Sequence, residues 1–235
     1  MTRPALLLAF ALALGACDAA DPEPDPVALG VQTATDVEAD PTSGRDPQTG
    51  APIANGLFTL YDLDAGRVVL SSSETDPTVR AADSTSTVWD VGFRGTTVIV
   101  NGGASGPGEG TAQVVAETFA AVAEAPAAGY VADGANADCP PVQTPAGPRP
   151  GSTLAVCTGS DSGWYTYDSQ TNSITPIPGR TIVLTTGEGD YAKLRVLSYY
   201  RGNPATPGGE GRYYTFEYVV QPDGSRDFET TTVED

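Results

Sequence analysis

Histidine is absent from all 235 residues, and the single methionine is Met1. Without an imidazole, neither a Ser-His-Asp nor a Cys-His catalytic apparatus can be assembled. A zinc site that depends on imidazole ligands is excluded for the same reason. A pair of carboxylates could still hydrolyse glycosides, but nothing in the sequence singles out two of the 30 acidic residues. We therefore expect that the protein is not an enzyme.

Basic residues are also scarce. Twelve Lys and Arg stand against 30 Asp and Glu, the formal net charge is -18, and Lys193 is the only lysine. A surface with this charge repels a nucleic-acid backbone and gains nothing from anionic lipid headgroups. The sequence therefore predicts no nucleic-acid partner.

Long segments whose apolar residues follow the period of an α-helix are nearly absent too. Thr, Val, Gly and Pro are abundant, and turn signals separate short apolar segments. This composition favours an all-β fold. We predict antiparallel sheets in a meander, folded over a single core, with one short helix at most, over residues 30–235.

Residues 1–16 have the composition of a lipoprotein signal peptide. Arg3 precedes an apolar stretch that is too short to span a bilayer. The segment 14–17 resembles a bacterial lipobox, which implies cleavage before Cys17 and lipid attachment to its thiol. The alternative is an ordinary signal peptide that happens to contain a cysteine. The acidic, Pro-rich residues 17–29 are predicted to be a tether.

The densest β pattern lies between residues 181 and 200. Residues 181–186 are almost all β-branched, residues 187–190 form a Gly-containing loop, and residues 191–200 alternate in polarity. This predicts a hairpin with one buried face and one wet face. Lys193 and Arg195 are predicted to lie on the wet face. The buried face is predicted to carry Ala192, Leu194, Val196 and Tyr200.

The alternation continues after the next loop. A strand over residues 213–220, a turn at 222–224 and a last strand over 227–233 would complete the meander. The buried face of the first of these strands is predicted to carry Tyr214, Phe216, Tyr218 and Val220.

Further strands are predicted in the first half of the chain. They are 31–40 at a sheet edge, 57–63 paired with 67–71, and 88–94 beside 96–100. Residues 72–86 are predicted to be a polar loop. Trp89, Val91 and Phe93 are predicted to share one buried face.

Residues 101–110 are rich in glycine, and residues 111–123 can be drawn as a short helix with Val115, Phe119 and Val122 on one side. A strand, a Gly loop and a helix imitate a nucleotide-binding turn. The phosphate-binding Lys and the complete dinucleotide fingerprint are both missing, so we predict a loop at the sheet edge.

Two cysteines remain once Cys17 is assigned to the anchor. In an exported protein, Cys139 and Cys157 most simply form a disulfide. The chain-entropy model gives about 3 kcal/mol for a loop of this length. The alternative is a two-Cys metal site, which would need further ligands.

Three alternating carboxylates, Asp36, Glu38 and Asp40, could suggest a calcium site. They lack the glycine turn and the closing bidentate Glu of a helix-loop-helix calcium loop. A solvated strand face is the preferred interpretation.

Three groups of segments resemble the HmuY family of bacterial surface lipoproteins, and they stand in the family's order. They are residues 88–95 with 99–103, residues 164–168 through 178–180 with 191–200, and residues 214–224. The resemblance implies an all-β fold whose loops hold a small-molecule ligand. It also implies a lipid-anchored outer-membrane protein on the periplasmic or cell-surface side, and an outer-membrane receptor as partner. The best-known members hold heme between two His or two Met.

This chain departs from that pattern because its mature form has neither His nor Met. Heme is therefore a cofactor only by resemblance, and the iron would have to take a Tyr phenolate. The ligand-binding candidates are Tyr130, Trp164, Tyr165, Tyr167 and Arg180. The competing interpretation is that the aromatic residues pack the core and that the arginines pair with carboxylates. The alternative function is accordingly a structural or interaction module that has lost heme binding.

Overall fold

The computed structural model describes residues 26–48, 52–144 and 147–232. The predicted signal peptide, the lipid-attachment residue Cys17 and most of the predicted tether lie outside these ranges. No helix among the described residues is long and apolar enough to cross a membrane.

Short strands and one helix make up the first half of the chain. They are β1 (Val27–Ala28), β2 (Gln32–Glu38), β3 (Gly44–Arg45), β4 (Pro52–Ile53), β5 (Thr59–Asp62), β6 (Arg67–Leu70), α1 (Pro77–Ser84), β7 (Val91–Arg94), β8 (Thr97–Val100) and β9 (Thr111–Val115).

Longer strands dominate the second half. The elements are β10 (Val142–Thr144), β11 (Gly147–Arg149), β12 (Tyr165–Asp168), β13 (Ser173–Pro176), β14 (Thr181–Thr185), β15 (Tyr191–Tyr200), β16 (Gly211–Gln221) and β17 (Thr230–Thr231).

Two antiparallel sheets form the body of the domain. The larger sheet has the strand order β2-β16-β15-β14-β9, and the smaller has the order β6-β5-β7-β8. Their facing sides share the main apolar core. Aromatic rings cross between the sheets: the Phe93 and Tyr214 centroids lie 4.6 Å apart, and those of Tyr61 and Phe216 lie 5.3 Å apart. The all-β prediction is confirmed.

The predicted hairpin of residues 181–200 is β14 and β15, in a register that pairs Ile182 with Leu194. The loop between them contains Gly189, whose φ is +101°, a value that glycine adopts without strain. The pairing of β15 with β16 is interrupted near Ser198. Consecutive Tyr199 and Tyr200 therefore both reach the main core instead of alternating between faces.

The opposite face of the larger sheet is not wet, as the sequence had suggested. Val183 and Val219 pack there with side chains from the connecting segments, namely Phe119, Val122, Ala125 and Phe228. Lys193 is only 5% exposed, so the prediction of a solvent-facing lysine was wrong. Arg195 does reach solvent in part, and its guanidinium pairs with Glu217.

Two predictions of local structure were also wrong. The polar loop predicted for residues 72–86 contains α1, whose N-terminus is capped by Asp76 and begins with Pro77. The helix predicted for residues 111–123 begins instead as strand β9, because its backbone pairs with β14 from Thr181 to Thr185. Phe119 and Val122 do pack on one side, but they do so from a loop.

The smaller sheet also has a covered outer face. Trp89 packs there with Leu60, Leu70 and Ile99, whereas Val91 and Phe93 belong to the main core. The prediction that Trp89 shares a face with these two residues was therefore wrong, because Trp89 lies before β7 begins.

The chain ends differ from the prediction as well. Strand β1 pairs with β17, and Leu29 packs against the outer cluster of the larger sheet. Strand β1 thus lies within the segment predicted to be tether. The last strand is shorter than predicted, and it pairs with β1 rather than extending the meander beyond β16.

Candidate functional site

A cleft of about 500 Å³ opens between β2 and β6, the edge strands of the two sheets. Its floor is formed by Ala34, Val37 and Tyr61, which are buried members of the main core. Val68, 41% exposed, stands on the β6 side. The cleft exists because the two sheets face each other and their edges stay apart along this side.

The rim of the cleft carries charged groups, several of which have partners. Arg67 lies 3.3 Å from the Asp62 carboxylate. The Asp36 carboxylate accepts a hydrogen bond of 2.8 Å from the Gly202 N–H. Partnered rim charges over an apolar floor suit a ligand whose body is largely apolar.

Among the three floor residues, Tyr61 is the one with a polar side-chain atom. Burial raises the pKa of Tyr61; its hydrogen bond to Tyr218 lowers it, and the Asp62 charge raises it. The phenol is therefore protonated at neutral pH, and it is a poor iron ligand in that form.

Trp164 and Tyr165, two of the predicted ligand-binding residues, are packed into the main core. The Trp164 indole donates to the carbonyl of Thr96 at 3.0 Å, and its ring lies 5.2 Å from that of Tyr214. The Tyr165 hydroxyl bonds to the Thr96 hydroxyl at 3.3 Å. These contacts agree with the interpretation that the two rings serve packing.

The other predicted residues lie apart from these two. Tyr167 is exposed, and its hydroxyl donates to Asn172 at 2.8 Å. Arg180 donates to the carbonyl of Gly163. Neither side chain lines the cleft.

Tyr130 lies on the other side of the larger sheet, with its ring 6.0 Å from that of Tyr191. Burial raises the pKa of Tyr130 to about 12. Its buried hydroxyl makes no hydrogen bond of ordinary geometry, although Gln113 is near enough to lower the pKa. The structure therefore does not bring the five candidates together in one site.

The disulfide between Cys139 and Cys157 is formed, as predicted. It ties the segment that carries β10 and β11 to the loop before β12. Since both sulfurs are used, the alternative of a two-Cys metal site is excluded.

The alternating carboxylates Asp36 and Glu38 of β2, and Asp40 just after it, do not share a site. Asp40 is 2% exposed, and its carboxylate accepts hydrogen bonds from the N–H groups of Asn55 and Gly56. Asp36 instead bonds to the loop after β15. A solvated face is therefore wrong for Asp40, and the carboxylates fasten loops to the sheet.

A second group of acids, which the sequence did not single out, lies at one end of the sandwich. Carboxylate oxygens of Asp62, Asp64 and Asp90 lie within 4.8 Å of one another. Burial raises the pKa of Asp90 to about 7, although it accepts hydrogen bonds from Leu63 and Gly187. Burial and neighbouring acids raise the pKa of Asp64 to about 6. Asp90 thereby links the hairpin loop after β14 to the smaller sheet.

These features define an antiparallel two-sheet β protein with a ligand-sized cleft along one open side. The HmuY family model, described as HmuY protein, matches residues 57–218. The chain therefore belongs to the HmuY family. No curated protein matches the sequence.

Solved structures with similar folds include two apo proteins. The apo HmuY analogue of Tannerella forsythia is 13% identical, with a TM-score of 0.41; the match covers 86% of this chain and 100% of that one. Apo PinO of Porphyromonas gingivitis is 17% identical, with a TM-score of 0.42, and the match covers 82% and 98%.

Heme bound through its iron does not fit the residues present. The chain has no His and its single Met is Met1, and burial raises the pKa of both Tyr61 and Tyr130. The hydroxyls of Tyr165 and Tyr167 already have hydrogen-bond partners. A ligand of this protein must be held by contacts other than axial bonds from these groups.

Proposed function

We propose that the protein is an exported, lipid-anchored binding protein that holds a small, largely apolar ligand in the cleft between β2 and β6 and performs no catalysis. The observation that carries the proposal is the cleft itself. Its volume of about 500 Å³ falls within the range of roughly 300–1,000 Å³ that is usual for small-molecule sites. Its buried floor offers apolar surface to a ligand.

The anchor is proposed from the N-terminal sequence. The lipobox-like segment places Cys17 after a short apolar stretch, as lipid attachment requires. We place the protein at the outer membrane, on the periplasmic or cell-surface side, with a receptor of that membrane as partner. Replacing Cys17 with Ala should move the protein from the membrane fraction to the soluble fraction. An N-terminal peptide without acyl groups in the wild-type protein would contradict the anchor.

The ligand is proposed to bind without coordination of an iron. Porphyrin is one ligand class with an apolar body, so iron-free protoporphyrin IX and hemin make a matched pair of probes. We expect similar affinities for the two, because no residue of the cleft is suited to hold iron. The full-length protein in detergent should be titrated by absorbance and by quenching of tryptophan fluorescence. A clear preference for hemin, with a shifted Soret band, would show that this view of the site is wrong.

A pair of variants tests the location. Val68 and Val79 are both 41% exposed, but only Val68 lines the cleft. Val68→Trp should fill the cleft and weaken binding of protoporphyrin IX, or of the apolar dye anilinonaphthalene sulfonate, by about tenfold or more. Val79→Trp adds the same ring on α1 and should leave binding unchanged. Equal effects of the two variants would place the ligand elsewhere.

A module without a ligand is the competing function. It is favoured by the packing of Trp164 and Tyr165 in the core, because these rings are not available to a ligand. Absence of any binding that depends on Val68, for both probes, would support it.

A further inference from the structure

The acids Asp62, Asp64 and Asp90 lie where the two sheets meet at one end of the sandwich, and we call them the acidic cluster. Asp62 is the last residue of β5, Asp64 lies in the turn between β5 and β6, and Asp90 directly precedes β7. Their carboxylate oxygens lie within 4.8 Å of one another. Binding of an apolar ligand in the cleft does not by itself explain why these acids are placed together.

Asp90 joins the two sheets at this end. It is 1% exposed, and its carboxylate accepts hydrogen bonds from the Leu63 N–H at 2.7 Å and the Gly187 N–H at 2.8 Å. Gly187 belongs to the turn between β14 and β15. It has no room for a Cβ, because the carbonyl of Thr87 lies against it. The turn of the larger sheet is therefore fixed against the chain that leads into β7.

Asp64 lies on the exposed side of the acidic cluster. Desolvation and then the charges of Asp190, Asp62 and Glu188 raise the pKa of Asp64 to about 6. Burial raises the pKa of Asp90 to about 7, although its two hydrogen bonds act in the opposite direction. The acidic cluster therefore takes up a proton at a pH at which an isolated carboxyl group is still ionised.

Side chains from several elements set the charge around Asp64. They are Asp62 and Arg67 of the β5–β6 hairpin, Asp90 before β7, Glu109 before β9, Glu188 and Asp190 of the β14–β15 turn, Tyr218 of β16 and Asp223 after it. Arg67 is the one cation in this set, and it lies 3.3 Å from the Asp62 carboxylate. Burial raises the pKa of Tyr218, so its phenol stays neutral. Ionisation of Asp64 therefore adds a negative charge to a group that is already negative.

The turn that carries Asp64 also forms part of the rim of the cleft. Gly66 and Arg67 follow Asp64 closely in the chain, and both line the cleft. A Cβ on Gly66 would lie 3.1 Å from the hydroxyl oxygen of Tyr218, which in turn donates to Gln32 at 2.9 Å. The turn is thus packed against β2 and β16 of the larger sheet. A displacement of the turn would move the β6 side of the cleft.

We propose that the acidic cluster is a pH-sensitive contact that regulates the cleft. When its acids are protonated, the β5–β6 turn stays packed against the larger sheet; when they ionise, repulsion displaces the turn and the cleft widens. The effect on a ligand rests on the proposed function, because it needs a ligand in the cleft. The displacement of the turn does not.

The direction of the effect follows from where the proton binds more tightly. In the packed turn the pKa of Asp64 is about 6, whereas the ordinary value is 3.8. The packed arrangement is therefore favoured most at a pH below 3.8, and this advantage is lost as the pH rises through about 6. A ligand that needs the packed rim should accordingly bind more tightly at low pH.

Hydrogen exchange tests the displacement of the turn without any ligand. In the full-length protein in detergent, the amides of residues 63–67 should lose about fivefold or more of their protection between about pH 5 and about pH 8, after correction for the intrinsic exchange rate. This is well below the roughly hundredfold that two pKa units would give, because Asp64 is exposed and solvent screens its charge. Added salt should reduce the loss of protection.

One variant and one control identify the group responsible. Asp64→Asn keeps the size of the side chain but cannot ionise, so protection of the turn should stay nearly constant with pH. Asp138→Asn is the matched control, since it removes an exposed carboxylate outside the acidic cluster. It should lose protection as the wild-type protein does. Constant protection in the wild-type protein, or an equal loss in Asp64→Asn, would overturn the proposal.

An uncharged probe tests the regulation of the cleft. N-phenyl-1-naphthylamine keeps its charge state over this range of pH, and its fluorescence rises in apolar surroundings. Its affinity for the wild-type protein should fall about threefold or more between about pH 5 and about pH 8, and Asp64→Asn should abolish the fall. Val68→Trp should weaken binding at both pH values, since Val68 lines the cleft.

The outcomes separate this regulation from the proposed function. If binding depends on Val68 but has the same affinity at both pH values, the regulation is wrong and the proposed function stands. If no binding depends on Val68, the proposed function fails and the regulation fails with it. Hydrogen exchange would still show, in that case, whether the turn responds to pH.

Discussion

The two faces of the five-stranded sheet are both buried, but they are covered by different means. On the inner face, the alternating residues of β16 meet the four-stranded sheet, and rings such as Tyr61 and Phe216 contact each other across the core. On the outer face, Val183 and Val219 are covered by loop residues such as Phe119 and Phe228. The inner face is therefore covered by a second sheet, and the outer face is covered by loops.

Lys193 provides hydrogen bonds to the loop that covers the outer face of the five-stranded sheet. Its ammonium donates to the carbonyls of Phe119 at 3.1 Å and Val122 at 2.8 Å. It also lies 4.7 Å from the centroid of the Phe119 ring and 5.3 Å from that of Phe228. Buried carbonyls of a loop have no partner strand, so they need other hydrogen-bond donors. Lys193 supplies these donors. A face covered by loops can therefore contain a buried cation, which a face covered by a second sheet does not need.

The largest effect is expected on the inner face. Phe216→Ala should lower the free energy of unfolding by about 3–5 kcal/mol, because a fully buried ring leaves a cavity that two rigid sheets cannot fill. Urea denaturation would measure the change. Tyr167→Ala, at an exposed position, is the control and should cost about 0.5 kcal/mol or less. A loss below about 2 kcal/mol for Phe216→Ala would mean that the inner face is not the tighter one.

Two neighbouring valines compare the faces directly. Val219 points to the outer face and Val220 to the inner face of the same strand. We expect Val219→Ala and Val220→Ala each to cost about 1.5–2.5 kcal/mol, from two lost methylene equivalents and a small cavity. The same denaturation measurement applies. If Val219→Ala costs less than about 0.5 kcal/mol, the loops do not seal the outer face.

The smallest effect at neutral pH is expected for Lys193→Met. The carbonyls of Phe119 and Val122 lose their donor, but the desolvation cost of the buried charge disappears as well, so we expect a net change within about 1 kcal/mol. The informative readout is pH. Burial lowers the pKa of Lys193 from 10.5, so the unfolded chain binds the proton more tightly than the folded protein. Stability supplied by Lys193 should therefore be lowest below the folded pKa and should rise as pH rises through that value toward 10.5.

The wild-type protein should accordingly gain stability relative to Lys193→Met as the pH rises above the lowered pKa of the folded protein toward 10.5. Comparing the two proteins at each pH cancels the contribution of the buried tyrosines. A difference in unfolding free energy that stays constant over this range would show that the lysine is hydrated, and the outer face would then be open.

The sequence was sufficient for the parts of the fold that rest on local alternation. Tyr214, Phe216, Tyr218 and Val220 follow a strict period of two, and all four face the main core. The hairpin of β14 and β15 and the disulfide were predicted for similarly local reasons. Helix α1 was missed although its signal was present, since Asp76 and Pro77 form a cap followed by proline at the first turn.

Features that depend on distant parts of the chain could not be predicted. The pattern of Val115, Phe119 and Val122 is helical in spacing, yet pairing with β14 decides that the segment begins as a strand. Lys193 is buried where its ammonium donates to the carbonyls of Phe119 and Val122, which are distant in sequence. The cleft is formed by two strand edges that come from distant parts of the chain. The local spacing of residues does not show which distant segments of the chain come into contact.

The pairing of β1 with β17 has a consequence for engineering. Val27 lies opposite Thr231, so the first and last strands of the described residues lie side by side. A short linker between these points would close the chain into a ring, and the ring could be reopened in the turn between β15 and β16. Such a circular permutant should keep both sheets.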